Sequence, residues 1–328
     1  MADVMVYSMR DFDEQPWYEQ VSRELGLSIR TCPDRPSMDN IALAEGCRCL
    51  SIITTGVTGE MEEEFYRRGV RFISTRTIGY DHIDLAAARR LGIGISNVAY
   101  DPDGVADYTV MLLLMVIRRV KPMLARASAQ DYTLNGLLGP SLKELCVGVV
   151  GTGRIGKAVI RRLQGFGCRV LAYSPHEDDG IRSMAEYVPL EELLAQSDVV
   201  SLHAALAPGS EHLLDRSAIN RMKDGAVVIN TARGGLIDTA ALIDALESGK
   251  LSGAGLDVLE NENALFYTDL RGRPLPRRDM HILKGMPNVI FTPHMAFYTQ
   301  DAIRDMVKYS LESCRHFLDG TPDPMRVL

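Results

Sequence analysis

From its start the chain alternates short apolar runs with polar stretches of helical period. VMVYS, CLSIITT, VRFISTR and IGISNV predict four strands, and the intervening Glu14–Gly26, Glu60–Gly69 and Asp84–Gly92 predict helices. Strands separated by helices imply a parallel sheet with helices on its faces. Asp101-Pro102-Asp103-Gly104 then punctuates the pattern. An apolar helix follows over about Val105–Val120. It has so little polar surface that burial between domains or between subunits is expected, and with it a homodimer through the 105–120 region.

A second alternating series starts near Cys146. CVGVVG, RVLAYS, DVVSLH, AVVIN, GAGLDV and NVIFT predict six strands, the number of a complete dinucleotide-binding sheet. Thr299–Leu318 then reads as one amphipathic helix. It is expected to pack back on the first domain, which gives a substrate-binding domain of residues 1–101 with 299–328 and a dinucleotide-binding domain of residues 102–298.

Composition narrows the class. The chain has 328 residues, enough for two cores, with 46% apolar and 24% charged residues. A net charge of -7 gives no footing for nucleic acid or for an anionic membrane surface. MADVMVYSMR lacks the basic and apolar regions of a signal peptide, and Val110–Ile117 is too short to span a bilayer. A soluble cytoplasmic protein is expected. Cys47 and Cys49 stand as a C-x-C pair with no second Cys/His pair nearby, so reduced thiols and no metal are expected of the six cysteines.

The first candidate chemistry is the turn Gly151-Thr152-Gly153-Arg154-Ile155-Gly156, with a strand before it and a helix after it. Gly151 permits a tight turn, Gly153 lets main chain approach a pyrophosphate, and Gly156 permits close packing of helix on strand. The helix N-terminus adds unpaired N–H groups for the anion. The blander reading is a glycine turn that only packs a helix. At the end of the next strand an NAD enzyme usually carries an acid for the ribose diol, and here Ser174 stands there. Serine does not repel a 2′-phosphate and His176 can help hold one, so use of NADPH, alone or beside NADH, is expected.

Three further residues stand at strand ends of the second series: Arg233 after AVVIN, Glu262 after GAGLDV and His294 after NVIFT. Reduction of a 2-keto acid needs a cation for the carboxylate, a proton donor at the carbonyl oxygen and an acid to keep that donor charged. Taken singly, Arg233 also reads as a loop cap, Glu262 as part of a solvated acidic patch with Glu260, and His294 as a helix start.

At these residues the chain resembles the D-2-hydroxyacid dehydrogenase family. The likeness runs through STRTIGYDHID, NVAYDPDGVADYT, VGVVGTGRIG, NTARGGLID, LDVLENE and NVIFTPHMAFYT, in the family's order. FGCRVLAYS and the insertion LENENALFY resemble the branch of D-lactate dehydrogenases of the vancomycin-resistance type. The resemblance implies two Rossmann-like α/β domains with parallel sheets, one flavodoxin-like and one dinucleotide-binding, with the active site in the interdomain cleft. It assigns the substrate carboxylate and carbonyl to Arg233, acid–base catalysis to His294, and the acid's partner to Glu262. It places Asp257 near the nicotinamide, gives His203, Ala204, Thr231 and Ala232 to the cofactor, and gives Ile78, Gly79, Tyr100 and Phe297 to the substrate. Met295, where relatives often carry threonine, departs from the pattern. Pyruvate is the first expected substrate. A bulkier keto acid, such as phenylpyruvate or 2-ketoisocaproate, is the alternative within enzymes, and a dinucleotide-sensing corepressor is the alternative outside them.

Overall fold

The computed structural model describes residues 2–262, 265–275 and 277–328; Asn263 and Ala264 of the LENENALFY segment lie outside them. Two compact units divide the chain: Met1–Asp101 with Tyr298–Leu328, and Pro102–Phe297.

The first unit runs β1 (Val4–Val6), α1 (Gln15–Leu25), β2 (Ile29–Thr31), β3 (Cys49–Ile52), α2 (Gly59–Arg67), β4 (Phe72–Thr75), α3 (Leu85–Leu91) and β5 (Gly94–Ser96). Its sheet has the order β2-β1-β3-β4-β5, and every pair is parallel. The second unit runs α4 (Asp103–Ile117), α5 (Val120–Ser128), β6 (Cys146–Val150), α6 (Arg154–Gln164), β7 (Arg169–Tyr173), β8 (Glu186–Tyr187), α7 (Leu190–Gln196), β9 (Val199–Leu202), α8 (Arg216–Arg221), β10 (Ala226–Asn230), α9 (Thr239–Glu247), β11 (Leu251–Leu256), α10 (Arg278–Gly285) and β12 (Val289–Phe291). This sheet is ordered β12-β11-β10-β9-β6-β7-β8, again all parallel. The last helix, α11 (Gln300–Asp319), returns to the first unit and packs on α1, β3 and β4.

Two strands escape the hydrophobic pattern, β2 and β8. Both are sheet edges, and Ile29–Thr31 and Glu186–Tyr187 are largely solvent-facing. An edge strand pairs on one side only and needs no apolar run. Strands β6, β9 and β10 have no exposed residue, because helices cover both faces of a parallel sheet.

The helix expected over Val105–Val120 is α4, which ends at Ile117, and a second helix starts at Val120. Arg119 has φ +52, a left-handed conformation that ends the first and starts the second. Ala106, Leu112, Leu113 and Ile117 pack into the core of their own unit, where α4 lies on α6, β10 and β11. Neither a second domain nor a second subunit is needed to cover them.

The helix ends follow local rules. Thr58, Asp84, Asp238 and Thr299 accept main-chain N–H bonds as N-caps of α2, α3, α9 and α11. All six cysteines are buried and unpaired, and no helix among the described residues is long and apolar enough to cross a membrane.

One buried carboxylate sits in α2. Glu62 is 0% exposed and its carboxylate oxygens make no hydrogen bond to the described residues. Burial, with the charge of Asp84 adding to it, pushes its pKa from the ordinary 4.5 up to about 7. The native state therefore holds a proton that the unfolded chain releases above pH 4.5, so the contribution of Glu62 to stability is full below 4.5 and is lost as pH rises through 7. Glu62→Gln removes the titration. Thermal melts are expected to show the variant more stable than the parent at pH 8 and close to it at pH 5.

Candidate active site

The glycine turn joins β6 to α6. Gly151 has φ +93, a region L side chains avoid, and a Cβ there would lie 2.7 Å from the main chain of His203 and Ala204. A Cβ on Gly156 would lie 2.0 Å from the Gly151 carbonyl oxygen. Gly156 is thus required by the turn folding onto its own helix, more than by helix-on-strand packing. Gly153 is the opposite case: a Cβ would meet nothing within 4 Å. That leaves open space at the N-terminus of an 11-residue helix, which fits the pyrophosphate of a dinucleotide. Thr152 is buried and its hydroxyl accepts from Tyr187 at 2.9 Å. Arg154 is exposed, and Ile155 packs against the core.

His203 lies beside this turn. Its Nε2 bonds Ser201 Oγ at 2.8 Å, while its buried Nδ1 has no partner among the described residues. Burial pulls its pKa down to about 4, so the ring is neutral at physiological pH. Past β7, Ser174 is half-buried and His176 exposed. The next three residues are the acids Glu177, Asp178 and Asp179. Asp178 bonds Lys157 Nζ at 2.6 Å, and Glu177 and Asp179 both pair with Arg182.

The Arg233 loop is fixed by the last residue of β10. Asn230 accepts from Ala232 N at 3.0 Å and donates to the Arg233 carbonyl at 2.9 Å. Thr231 is buried, and its hydroxyl shares a 2.8 Å hydrogen bond with Thr109 of α4. Arg233 is half-buried. The next residue must be glycine: a Cβ on Gly234 would lie 2.0 Å from the Leu259 carbonyl carbon. Only glycine lets this loop touch the Leu259–Glu260 main chain.

That contact separates two acids the sequence ran together. Glu260 turns to His212 Nε2 at 2.6 Å and to the Thr239 N–H at 3.0 Å. Burial raises its pKa, but the bonds from Thr239 and His212 outweigh that and leave it lowered. The hydrogen bond to Glu260 in turn raises the pKa of His212. Glu262 accepts from Leu259 N at 2.8 Å with one oxygen and from His294 Nδ1 with the other.

Asp257 organises the His294 loop. Its carboxylate is 0% exposed and accepts from Thr292 Oγ1 at 2.6 Å, Met295 N at 2.8 Å and Ala296 N at 2.8 Å. Its carbonyl accepts from His294 N at 2.7 Å. Burial raises its pKa against the pull of those donors. His294 has φ +55. The ring of Phe297 stands edge-on to it with centroids 6.2 Å apart. Sequence reasoning missed Tyr267, whose hydroxyl donates to the His294 carbonyl at 2.8 Å. The only signal was its place in the LENENALFY insertion.

Arg233, Glu262 and His294 thus follow three neighbouring strands, β10, β11 and β12. Ile78, Gly79 and Tyr100 belong to the first unit. There Asn97 donates to the Ile78 carbonyl at 2.7 Å, Thr77 donates to that of Gly79 at 2.6 Å, and Tyr100 is buried.

A doubly wound parallel sheet with this glycine turn is the architecture of a dinucleotide-binding domain. The family profile of the D-isomer specific 2-hydroxyacid dehydrogenase NAD-binding domain matches residues 110–296. A D-specific alpha-keto acid dehydrogenase of Enterococcus faecium is 44% identical over 306 residues, covering 93% of this chain and 94% of its own. An aromatic 2-oxoacid reductase of Clostridium sporogenes is 36% identical over 328 residues, covering 99% of both. The crystal structure of a D-lactate dehydrogenase from Treponema pallidum superposes with a TM-score of 0.87, at 32% identity and 99% coverage of both chains. The chain belongs to the D-isomer specific 2-hydroxyacid dehydrogenase family.

Two glycines separate cofactor binding from turnover. Gly156→Ala is expected to weaken NADH binding about tenfold or more in a fluorescence titration, because the turn must open. Gly234→Ala is expected to keep NADH binding while kcat/KM falls about tenfold or more, because it pushes apart the loops that carry Arg233 and Glu262.

Proposed function

We propose that this enzyme reduces pyruvate to D-lactate, with Arg233, His294 and Glu262 as its working residues. The observation that carries the reading is the Glu262 carboxylate on His294 Nδ1, one strand away from Arg233. With Nδ1 engaged, Nε2 is the nitrogen that meets substrate. Arg233 binds the carboxylate and orients the keto group by its two-point fork. The bound nicotinamide supplies the hydride. As the keto carbon accepts it, His294 gives the Nε2 proton to the carbonyl oxygen, and Glu262 offsets the charge of the protonated ring. In the reverse direction the neutral ring takes the hydroxyl proton. Asp257 acts through the loop it holds.

Pyruvate as the substrate is supported by the likeness to the D-lactate dehydrogenase of Treponema pallidum. The second reading, an aromatic keto acid, is supported by the likeness to the aromatic 2-oxoacid reductase. On the cofactor side, Ser174 brings no charge to the ribose site. The acids after it are already paired with Lys157 and Arg182, which supports use of NADPH beside NADH. A homodimer is supported by apolar side chains beyond α4: Leu124, Tyr132, Leu134 and Leu138 are 58%, 77%, 86% and 90% exposed.

Steady-state rates with pyruvate and phenylpyruvate, each with NADH and NADPH, test the reading. Pyruvate is expected to give the higher kcat/KM, and the two cofactors to lie within about tenfold of each other. A phenylpyruvate preference moves the enzyme to the second reading, and a larger NADH preference removes the role given to Ser174. Arg233→Ala is expected to lose about a hundredfold or more in kcat/KM. Near-normal activity in that variant would overturn the site.

A further inference from the structure

His294 is held in a conformation it would not adopt unaided. Its φ of +55 lies in the left-handed region, where a residue with a Cβ is strained and persists only if its surroundings fix it. Its amide is fixed: His294 N donates to the Asp257 carbonyl at 2.7 Å and to the Thr292 carbonyl at 3.1 Å. Its ring is fixed at one atom, Nδ1, by Glu262. A single bond to one ring atom still lets the imidazole swing with the main chain, so the direction of Nε2 depends on the peptide that follows His294.

That peptide is gripped by Tyr267, five residues beyond Glu262. The phenol hydroxyl donates to the His294 carbonyl at 2.8 Å. The ring lies 6.5 Å from the His294 ring centroid, and it stands edge-on to Phe297 at 6.3 Å and 88°. Tyr267 is itself left-handed, with φ +61. It is 49% exposed, so burial of its ring does not by itself account for the conformation. One stretch of chain therefore holds both ends of His294: Glu262 at the ring and Tyr267 at the main chain.

We propose that Tyr267 is a positioning residue for proton transfer, its hydroxyl holding the His294 peptide so that Nε2 keeps its direction toward the keto oxygen. The proposal rests on the reading of His294 as the acid. Tyr267 is a tyrosine for a reason on this account: the ring packs on Phe297, and the oxygen alone reaches the carbonyl.

Tyr267→Phe removes that oxygen and keeps the ring. With pyruvate and NADH, kcat is expected to fall about three- to tenfold, the loss of one neutral hydrogen bond. KM for pyruvate and the NADH dissociation constant are expected to stay within about twofold. The solvent deuterium isotope effect on kcat should rise as proton transfer becomes slower. An unchanged kcat overturns the proposal, as does a loss confined to KM, which would make Tyr267 a wall of the pocket. A fall in NADH affinity also overturns it, because it would assign the residue to the fold. His294→Gln in the same assay separates the two claims. If that variant is inactive and Tyr267→Phe is normal, only the role of Tyr267 falls; if His294→Gln is active, the reading of His294 falls first.

Discussion

Asp257 accepts four bonds from one short loop. Its side chain receives a hydroxyl and two amides from Thr292, Met295 and Ala296, and its carbonyl receives the amide of His294. A carboxylate removed from water is costly unless donors surround it. Here the donors are mostly main-chain groups, so satisfying the charge and shaping the loop are the same event. The left-handed conformation of His294 follows from that loop. The placing of its ring against Glu262, and of its carbonyl against Tyr267, follows in turn.

A second constraint works by absence of atoms. Gly234 and Gly156 each occupy a point where main chain meets main chain at a distance that excludes a Cβ. At Gly156 the contact compacts the turn that would receive a pyrophosphate. At Gly234 it sets the Arg233 loop on the segment carrying Glu260 and Glu262. The two acids then divide: Glu260 ties that segment to His212 and Thr239, which leaves Glu262 two residues on to reach His294. The glycine turn and the loops of Arg233 and Glu262 are thus built by the same device in different parts of one sheet.

Much of this was legible in the residues. Buried parallel strands announce themselves as apolar runs, and the glycine turn carries its own flanks. What stayed hidden was hidden for physical reasons. β2 and β8 are edges and carry no apolar signature. The left-handed Arg119 splits a run that reads as one helix. The division between Glu260 and Glu262 depends on partners more than twenty residues away, and no local pattern distinguishes them. Tyr267 acts through a main-chain oxygen, a contact that leaves no trace in spacing. The acids at 177–179 sit in plain view, but their neutralisation by Lys157 and Arg182 does not.

The return of α11 to the first unit has a consequence in time. Val307, Leu311 and Cys314 fill the core that Val4, Val6, Cys49 and Phe72 leave open, and Phe317 stacks on Phe72. During synthesis those early strands wait for more than two hundred residues before their cover is made. The second unit, continuous in sequence, has all its parts by then. Connectivity thus delays completion of the half that begins first, and its apolar face stays without this cover while the chain is still growing.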